Sequence, residues 1–213
     1  MIPLYRNPIS ILIIILLMLS GCTTLPKSVS HNIEMAKQGD AQAQYKLGLD
    51  YTNGFGVTQN YATATDWFLK AAQQEQIDAQ FMVGVAYASG RGVTRNEKSA
   101  YEWFDKAASQ GHSAALYQKA EALANGRGIS KDMAASRKYY RMAAQKDHLE
   151  SKYALGVFLM TGRGGKQDII SGNVWILAAA NDGHKEAQTL FNTTKKSLSP
   201  SNLAKVKKLA KKL

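Results

Sequence analysis

Asn53-Gly54-Phe55-Gly56-Val57 returns as Ser89-Gly90-Arg91-Gly92-Val93, as Asn125-Gly126-Arg127-Gly128-Ile129 and as Thr161-Gly162-Arg163-Gly164-Gly165. The interval is thirty-six residues each time, with no insertion or deletion. Glycine supplies the positive φ that a helix C-terminus and a tight turn demand, so each stretch stops one helix and precedes another. An aromatic column follows at Trp67, Trp103, Tyr139 and Trp175, then paired alanines at Ala71-Ala72, Ala107-Ala108, Ala143-Ala144 and Ala179-Ala180. A fixed period of this length is the signature of a helical solenoid, in which no unit buries its apolar face alone. The expected fold is all-α, with four full helix–loop–helix units over residues 40–75, 76–111, 112–147 and 148–183.

Within the first unit, Ala43, Leu47 and Tyr51 lie four apart on one helical face. Asn60 is placed to cap a second helix carrying Ala64, Trp67, Phe68, Ala71 and Ala72. Gly48, Gly84, Ala120 and Gly156 form a column inside the first helices, where glycine costs about 1 kcal/mol relative to alanine. Repeating that cost implies a close helix crossing, expected over the paired alanines. The column headed by Trp67 is expected to supply the bulk, since each buried aromatic covers roughly 150–250 Å².

Both ends are adapted. Met35 to Asp40 aligns with Ala107 to His112, so residues 31–192 open on the second half of a unit and close, at Ala187 to Phe191, on the first half of a fifth. Ser199-Pro200 combines a capping hydroxyl with proline at the first helical position. The helix that follows places Leu203, Val206, Ala210 and Leu213 on one face and lysines elsewhere, so residues 193–213 read as a lysine-rich cap.

The start of the chain has a different character. Arg6 is the only charge ahead of the apolar run Ile11 to Leu19. That run is shorter than the roughly 20 residues a membrane-spanning helix needs. With small residues at Ser20-Gly21, it reads as a secretion signal over residues 1–21. Leu19-Ser20-Gly21-Cys22 resembles the lipobox of bacterial lipoproteins. The resemblance implies cleavage before Cys22, acylation of Cys22 and a lipid-anchored tether over residues 22–30. Thr23, where an aspartate would retain such proteins at the inner membrane, favours an outer-membrane anchor facing the periplasm. Cys22 is the only cysteine, so no intramolecular disulfide is expected and packing alone must hold the fold.

The formal charge is +11. Setting aside Arg6 and the seven lysines between Lys195 and Leu213 leaves the repeat body near +3 and hardly polarised along the sequence. No nucleic-acid module is recognisable, and no nucleic acid is expected as a partner.

The string Ala79-Gln80-Phe81, Gly84, Tyr87, Gly90-Arg91-Gly92-Val93, Ala100, Trp103-Phe104, Ala107-Ala108, Gly111-His112 closely resembles the Sel-one-like repeat, a tetratricopeptide-like α/α unit. The resemblance covers about residues 36 to 192. It implies a right-handed α/α solenoid and a monomeric adaptor that binds another protein without catalysis. A narrower role comes with it, a periplasmic immunity protein against a type VI secretion lipase-type effector; a host-interaction or invasion-promoting surface factor is a separate alternative. Lys119 and Leu123 depart from the pattern set by Leu47 and Tyr51, and Gly165 from that set by Val57. Units three and four are therefore expected to pack less tightly or to carry the ligand surface.

The candidate partner surface is the concave side, lined by variable positions of the first helices: Asp50, Met82, Ala86, Gln118, Glu121, Ala122 and Phe158. Phe158 and Met82, taken as exposed, would be its anchors. Arg91, Arg127 and Arg163 form a ladder on the loops, suited to an acidic partner or phosphate groups. A second ladder, His112, His148 and His184, invites a metal. Helices packed about 8–10 Å apart cannot bring two imidazoles to one zinc ion, whose bonds are about 2 Å. These histidines are instead expected to cap helices, as Asp40 does in the first unit. No nucleophile elbow, metalloprotease helix or phosphate loop is present in the sequence, so neither catalytic residues nor a cofactor are expected.

Overall fold

The computed structural model describes residues 26–213; Cys22 and the apolar run before it lie outside the described residues. Eleven α-helices and no strand occur among the described residues. They are α1 (Lys27–Lys37), α2 (Ala41–Asn53), α3 (Tyr61–Gln73), α4 (Ile77–Ser89), α5 (Glu97–Ser109), α6 (Ser113–Asn125), α7 (Met133–Ala144), α8 (Leu149–Thr161), α9 (Ile169–Asn181), α10 (Lys185–Thr194) and α11 (Pro200–Ala210). Each helix packs on the next, except that α11 turns back onto α9. This is the all-α repeat solenoid that the period predicts.

Helix starts are fixed by side-chain caps. Asn60, Asn96, Asp132 and Asp168 accept the amide hydrogen three residues on at the head of α3, α5, α7 and α9. Asp40, Gln76, His112, His148 and His184 do the same for the first helices of the units. Such a cap is worth about 1 kcal/mol. The expectations for Asn60 and for the histidine column therefore hold. Ser199 caps α11 with Pro200 behind it, also as expected.

The two glycines of each loop have different jobs. Gly54, Gly90, Gly126 and Gly162 end their helices at φ between 71° and 74°, the left-handed region that favours glycine. The second glycine lets one unit touch the previous one. A Cβ on Gly92, Gly128 or Gly164 would lie 2.2, 2.1 or 2.1 Å from the carbonyl oxygen of Tyr61, Glu97 or Met133. Each of those residues follows directly on the preceding loop, so the loops stack in a single row.

Two packing expectations are corrected. The deeply buried column of the second helices is Phe68, Phe104, Tyr140 and Ile176, one residue beyond the Trp67 column, whose members are only half-buried. The first-helix glycines are crossed by those side chains and not by the paired alanines. A Cβ on Gly48, Gly84 or Gly156 would stand 2.5, 2.6 or 2.6 Å from Phe68, Phe104 or Ile176. The alanine pairs Ala71-Ala72 and Ala107-Ala108 instead cluster with Ala79 and Val83, and with Ala115 and Leu116, of the next unit's first helix. At the ends, helix α1 already begins at Lys27, inside the expected tether, and buries Val29 near Gly56. On α11, Val206 and Ala210 are buried, but Leu213 lies past the helix end and is exposed.

Candidate protein-binding clefts

Two ladders join neighbouring units. In the first, each capping histidine stacks on an aromatic of the previous first helix: His112 on Phe81, His148 on Tyr117 and His184 on Tyr153, with ring centroids 4.6, 5.0 and 4.5 Å apart. Burial holds the His112 and His148 imidazoles below their ordinary range, with the Asp78 carboxylate opposing this at His112 and Glu150 opposing it at His148. The second ladder is polar. Gln74 donates to Gln44 at 2.8 Å and Gln110 to Gln80 at 2.9 Å, and in the fourth unit Lys152 takes this position and donates to Asp182 at 2.8 Å. Lys152 is only 2% exposed and also pairs with Asp147 at 2.8 Å. Burial alone would lower its ammonium, but the two carboxylates more than offset this and hold it above the ordinary range.

Lys119 occupies a core position and is 9% exposed. Its Nζ donates to the Tyr139 hydroxyl at 2.8 Å and pairs with Asp105. The expectation of looser packing in unit three is thus answered by a polar plug. Among the described residues, no buried side-chain polar atom lacks a partner.

The sequence-predicted site residues fall into three clefts, two at equivalent positions of successive units and a third that reaches further across units three to five, plus one outlier. Met82, Ala86 and Arg91 share a cleft of about 50 Å³ with Tyr61 and Phe68. Gln118, Ala122 and Arg127 share one of about 20 Å³ with Tyr101 and Phe104. Glu121, Phe158 and Arg163 share one of about 540 Å³ with Tyr117, Tyr153 and His184. Asp50 lines none of these and accepts a hydrogen bond from Asn32 at 3.1 Å. Arg91 lies over the Tyr61 ring and Arg163 over the Phe158 ring, at 5.7 and 5.4 Å, whereas Arg127 pairs with Glu121 at 3.3 Å.

The expected exposure of Phe158 is corrected, since the residue is 5% exposed. Its ring meets Tyr140 edge-on at 5.0 Å, within a cluster that includes Ala120 and Leu155. Ala86 and Ala122 are likewise buried, and Met82 is half-buried. The accessible aromatic surface of the large cleft belongs instead to Tyr117 and Tyr153, both half-buried, which are not among the site residues expected from the sequence. Their signal was the shared column Tyr45, Phe81, Tyr117, Tyr153, one helical turn from the variable positions.

Carboxylates rim this cleft. Glu121 accepts from Tyr140, whose hydroxyl burial and then this hydrogen bond push far above the phenol range. Glu150 meets His184 Nε2 at 3.0 Å. Glu186, 73% exposed in its side chain, completes the rim. Among the described residues no group of His, Cys, Asp or Glu is arranged to hold a metal ion. The cleft offers half-buried tyrosines, a guanidinium and open carboxylates, the ingredients of recognition.

The family model of the Sel1 repeat matches residues 41–75, 77–112, 113–148 and 149–184. Among solved structures, the chain is similar to a Sel1 repeat protein from Oxalobacter formigenes, at 28% identity and a TM-score of 0.73, over 86% of this chain and 84% of that one. It is also similar to a protective antigen present in uropathogenic Escherichia coli strains, at 29% identity and a TM-score of 0.78. That match covers 86% of this chain but 40% of the antigen. No curated protein matches the chain. Sel1 repeat proteins are in general protein-interaction scaffolds. With four matched repeats and the helical stack described above, the chain belongs to the Sel1 repeat family.

Proposed function

We propose that this protein is a non-catalytic scaffold of the bacterial envelope, held by acyl groups on Cys22 at the outer membrane and facing the periplasm. Its large cleft over α6, α8 and α10 receives a segment of a partner protein. The observation that carries the reading is the cleft of about 540 Å³ between Tyr117 and Tyr153, rimmed by Glu150, Glu186 and Arg163. Half-buried tyrosines give large contact area at low entropic cost, which is why they dominate binding hot spots.

The test is a photo-crosslinker at Glu186 in cells, with and without Ala154→Arg. Ala154 is half-buried in the cleft wall, and arginine there fills the space. A discrete crosslinked partner that disappears in the variant, with an unchanged melting temperature, is expected. Crosslinking that persists with the cleft filled would remove the cleft from the reading.

A second reading, a surface factor facing host proteins, is favoured by the likeness to the uropathogenic antigen. Protease digestion of intact cells separates the two, since a periplasm-facing protein survives and a surface-facing one is cut.

A further inference from the structure

The stacked loops form one edge of the solenoid, and its chemistry differs from that of the opposite edge. They carry Arg91, Arg95, Arg127, Lys131, Arg163 and Lys166, all exposed, against Glu97, which pairs with Arg95, and Asp132 and Asp168, which are engaged as helix caps; Arg127 is paired with Glu121 from the helix before it. The turns and first helical residues at the other edge carry Asp40, Glu75, Asp78, Asp147, Glu150, Asp182 and Glu186 against Lys37, Lys146 and Lys185, an acidic excess. The chain that looks unpolarised along its sequence is therefore polarised across the fold, because the period sorts loops and turns to opposite sides.

Large apolar side chains share the basic edge. Phe55 is 55% exposed, Ile129 38% and Ile169 46%. Phe55 stands at the loop position that Arg91, Arg127 and Arg163 fill elsewhere. Cations interleaved with exposed apolar groups are the composition of surfaces that lie in a lipid headgroup layer. The start of the fold is at the same edge, since Pro26 and Val29 pack onto Gly56 of the first loop. Cys22 is four residues before Pro26, a reach of at most about 14 Å.

We infer that the loop edge docks on an anionic phospholipid surface, so that the solenoid lies edge-on to the membrane with its acidic turns outward. The inference rests on the envelope reading for its anchor, but not on any protein partner. The large cleft runs from Arg163 at the loop edge to Glu150 and Glu186 at the turn edge. An edge-on solenoid would present that groove along its full length to a periplasmic segment.

The experiment places a fluorophore on Ser130→Cys in the loop row or on Gln145→Cys at the opposite edge, in the full chain reconstituted into vesicles with a lipid-borne quencher. Palmitate labelling reads acylation of Cys22 separately. A chain held by its uncleaved apolar segment is still positioned for the quenching measurement. With phosphatidylglycerol vesicles, several-fold stronger quenching is expected at 130 than at 145, and the difference vanishes with phosphatidylcholine alone. Each basic residue at an anionic surface is worth about fivefold in the docking equilibrium, so losing the charges of Arg91, Arg127 and Arg163 shifts it on the order of a hundredfold, and reversing them to Glu shifts it further and abolishes the difference. Reversing Lys205, Lys207 and Lys208 on α11 leaves it intact. Equal quenching at both positions overturns the inference and leaves the edge to an acidic protein. A difference lost only with the α11 variant also overturns it, placing α11 at the lipid.

Discussion

The Lys119 ammonium donates a hydrogen bond to the Tyr139 hydroxyl at 2.8 Å, and both residues are departures from their own repeat columns. Lys119 stands where other units bury Leu47, Val83 and Leu155, and Tyr139 where they carry Trp67, Trp103 and Trp175. Tryptophan offers an ammonium only its ring face, as Trp67 does to Lys70 and Trp103 to Lys106, and no lone pair, so the two changes are chemically matched. Asp105 supplies the counter-charge from the previous unit. Burial alone would lower the Lys119 ammonium, but the bonds to Asp105 and Tyr139 hold it above its ordinary range.

This matching makes a double-mutant cycle informative. Asp105→Ala leaves a cation in the core with only a phenol for company, and should destabilise by about 1–3 kcal/mol. Lys119→Leu restores the side-chain type of the column and should be near neutral or stabilising. In the double variant, the cost of Asp105→Ala should largely disappear. Urea denaturation reads all three, and additive effects would mean that the two residues do not act as a pair.

How much of this could be read beforehand depended on whether the signal was spacing or rotation. The loop glycines, the Asn60 cap and the capping role of His112, His148 and His184 are positional signals, and the fold keeps them. Which aromatic faces inward is a rotational matter. Trp67 and Phe68 are adjacent, about 100° apart around a helix, and either could have filled the core by size. The burial of Phe158 departs from expectation for the same reason. Leu155, Phe158 and Leu159 are all buried and Val157 and Met160 half-buried, so α8 presents no clean polar face from which to choose. The Gln44 to Gln74 rung and the two-edged charge pattern needed side chains thirty residues apart to be brought together, which only the helical stack reveals.

Acid should loosen the stack through its histidine caps. The Nδ1 atoms of His112 and His148 accept from the Ala115 and Ser151 amides at 3.1 and 3.3 Å, which requires an unprotonated nitrogen. Burial lowers both groups in the fold. A group lowered on folding stabilises fully above its unfolded value, near 6.5 for histidine, and loses that contribution as the pH falls through it towards the folded value. The melting temperature should therefore drop between about pH 7 and pH 5. His148→Asn keeps a capping acceptor without a titration in that window, and should shrink the drop. An identical drop in the variant would show that the titrating groups lie elsewhere.

The two loop glycines should respond differently to alanine. Gly126→Ala, at φ 74° with nothing nearer than 3.6 Å to the new Cβ, incurs only the left-handed penalty of about 1 kcal/mol. Gly128→Ala adds a collision with the Glu97 carbonyl, 2.1 Å from the new atom, and must push two units apart. A cost of roughly 3 kcal/mol or more is expected there. Calorimetric melting of the two variants checks the order. If both melt alike, the second glycine is not the contact that spaces the repeats.

Non-glycine residues stand at two of the five turn positions that follow the second helices, where Gly39, Gly111 and Gly183 have positive φ. Glu75 has φ 64° and Asp147 φ 61°. Both pay the left-handed penalty, yet only Asp147 has a visible return in its 2.8 Å pair with buried Lys152. Replacing Glu75 with glycine should therefore stabilise the fold by about 0.5–1 kcal/mol, after allowing for the greater freedom of glycine in the unfolded chain. Asp147→Gly gains the same relief but leaves Lys152 with Asp182 as its remaining carboxylate, so its net effect should be zero or unfavourable. Paired denaturation curves decide the point. Should Glu75→Gly fail to stabilise while weakening partner crosslinking, the strained carboxylate would be serving recognition and not the fold, because strain is retained where a site depends on it.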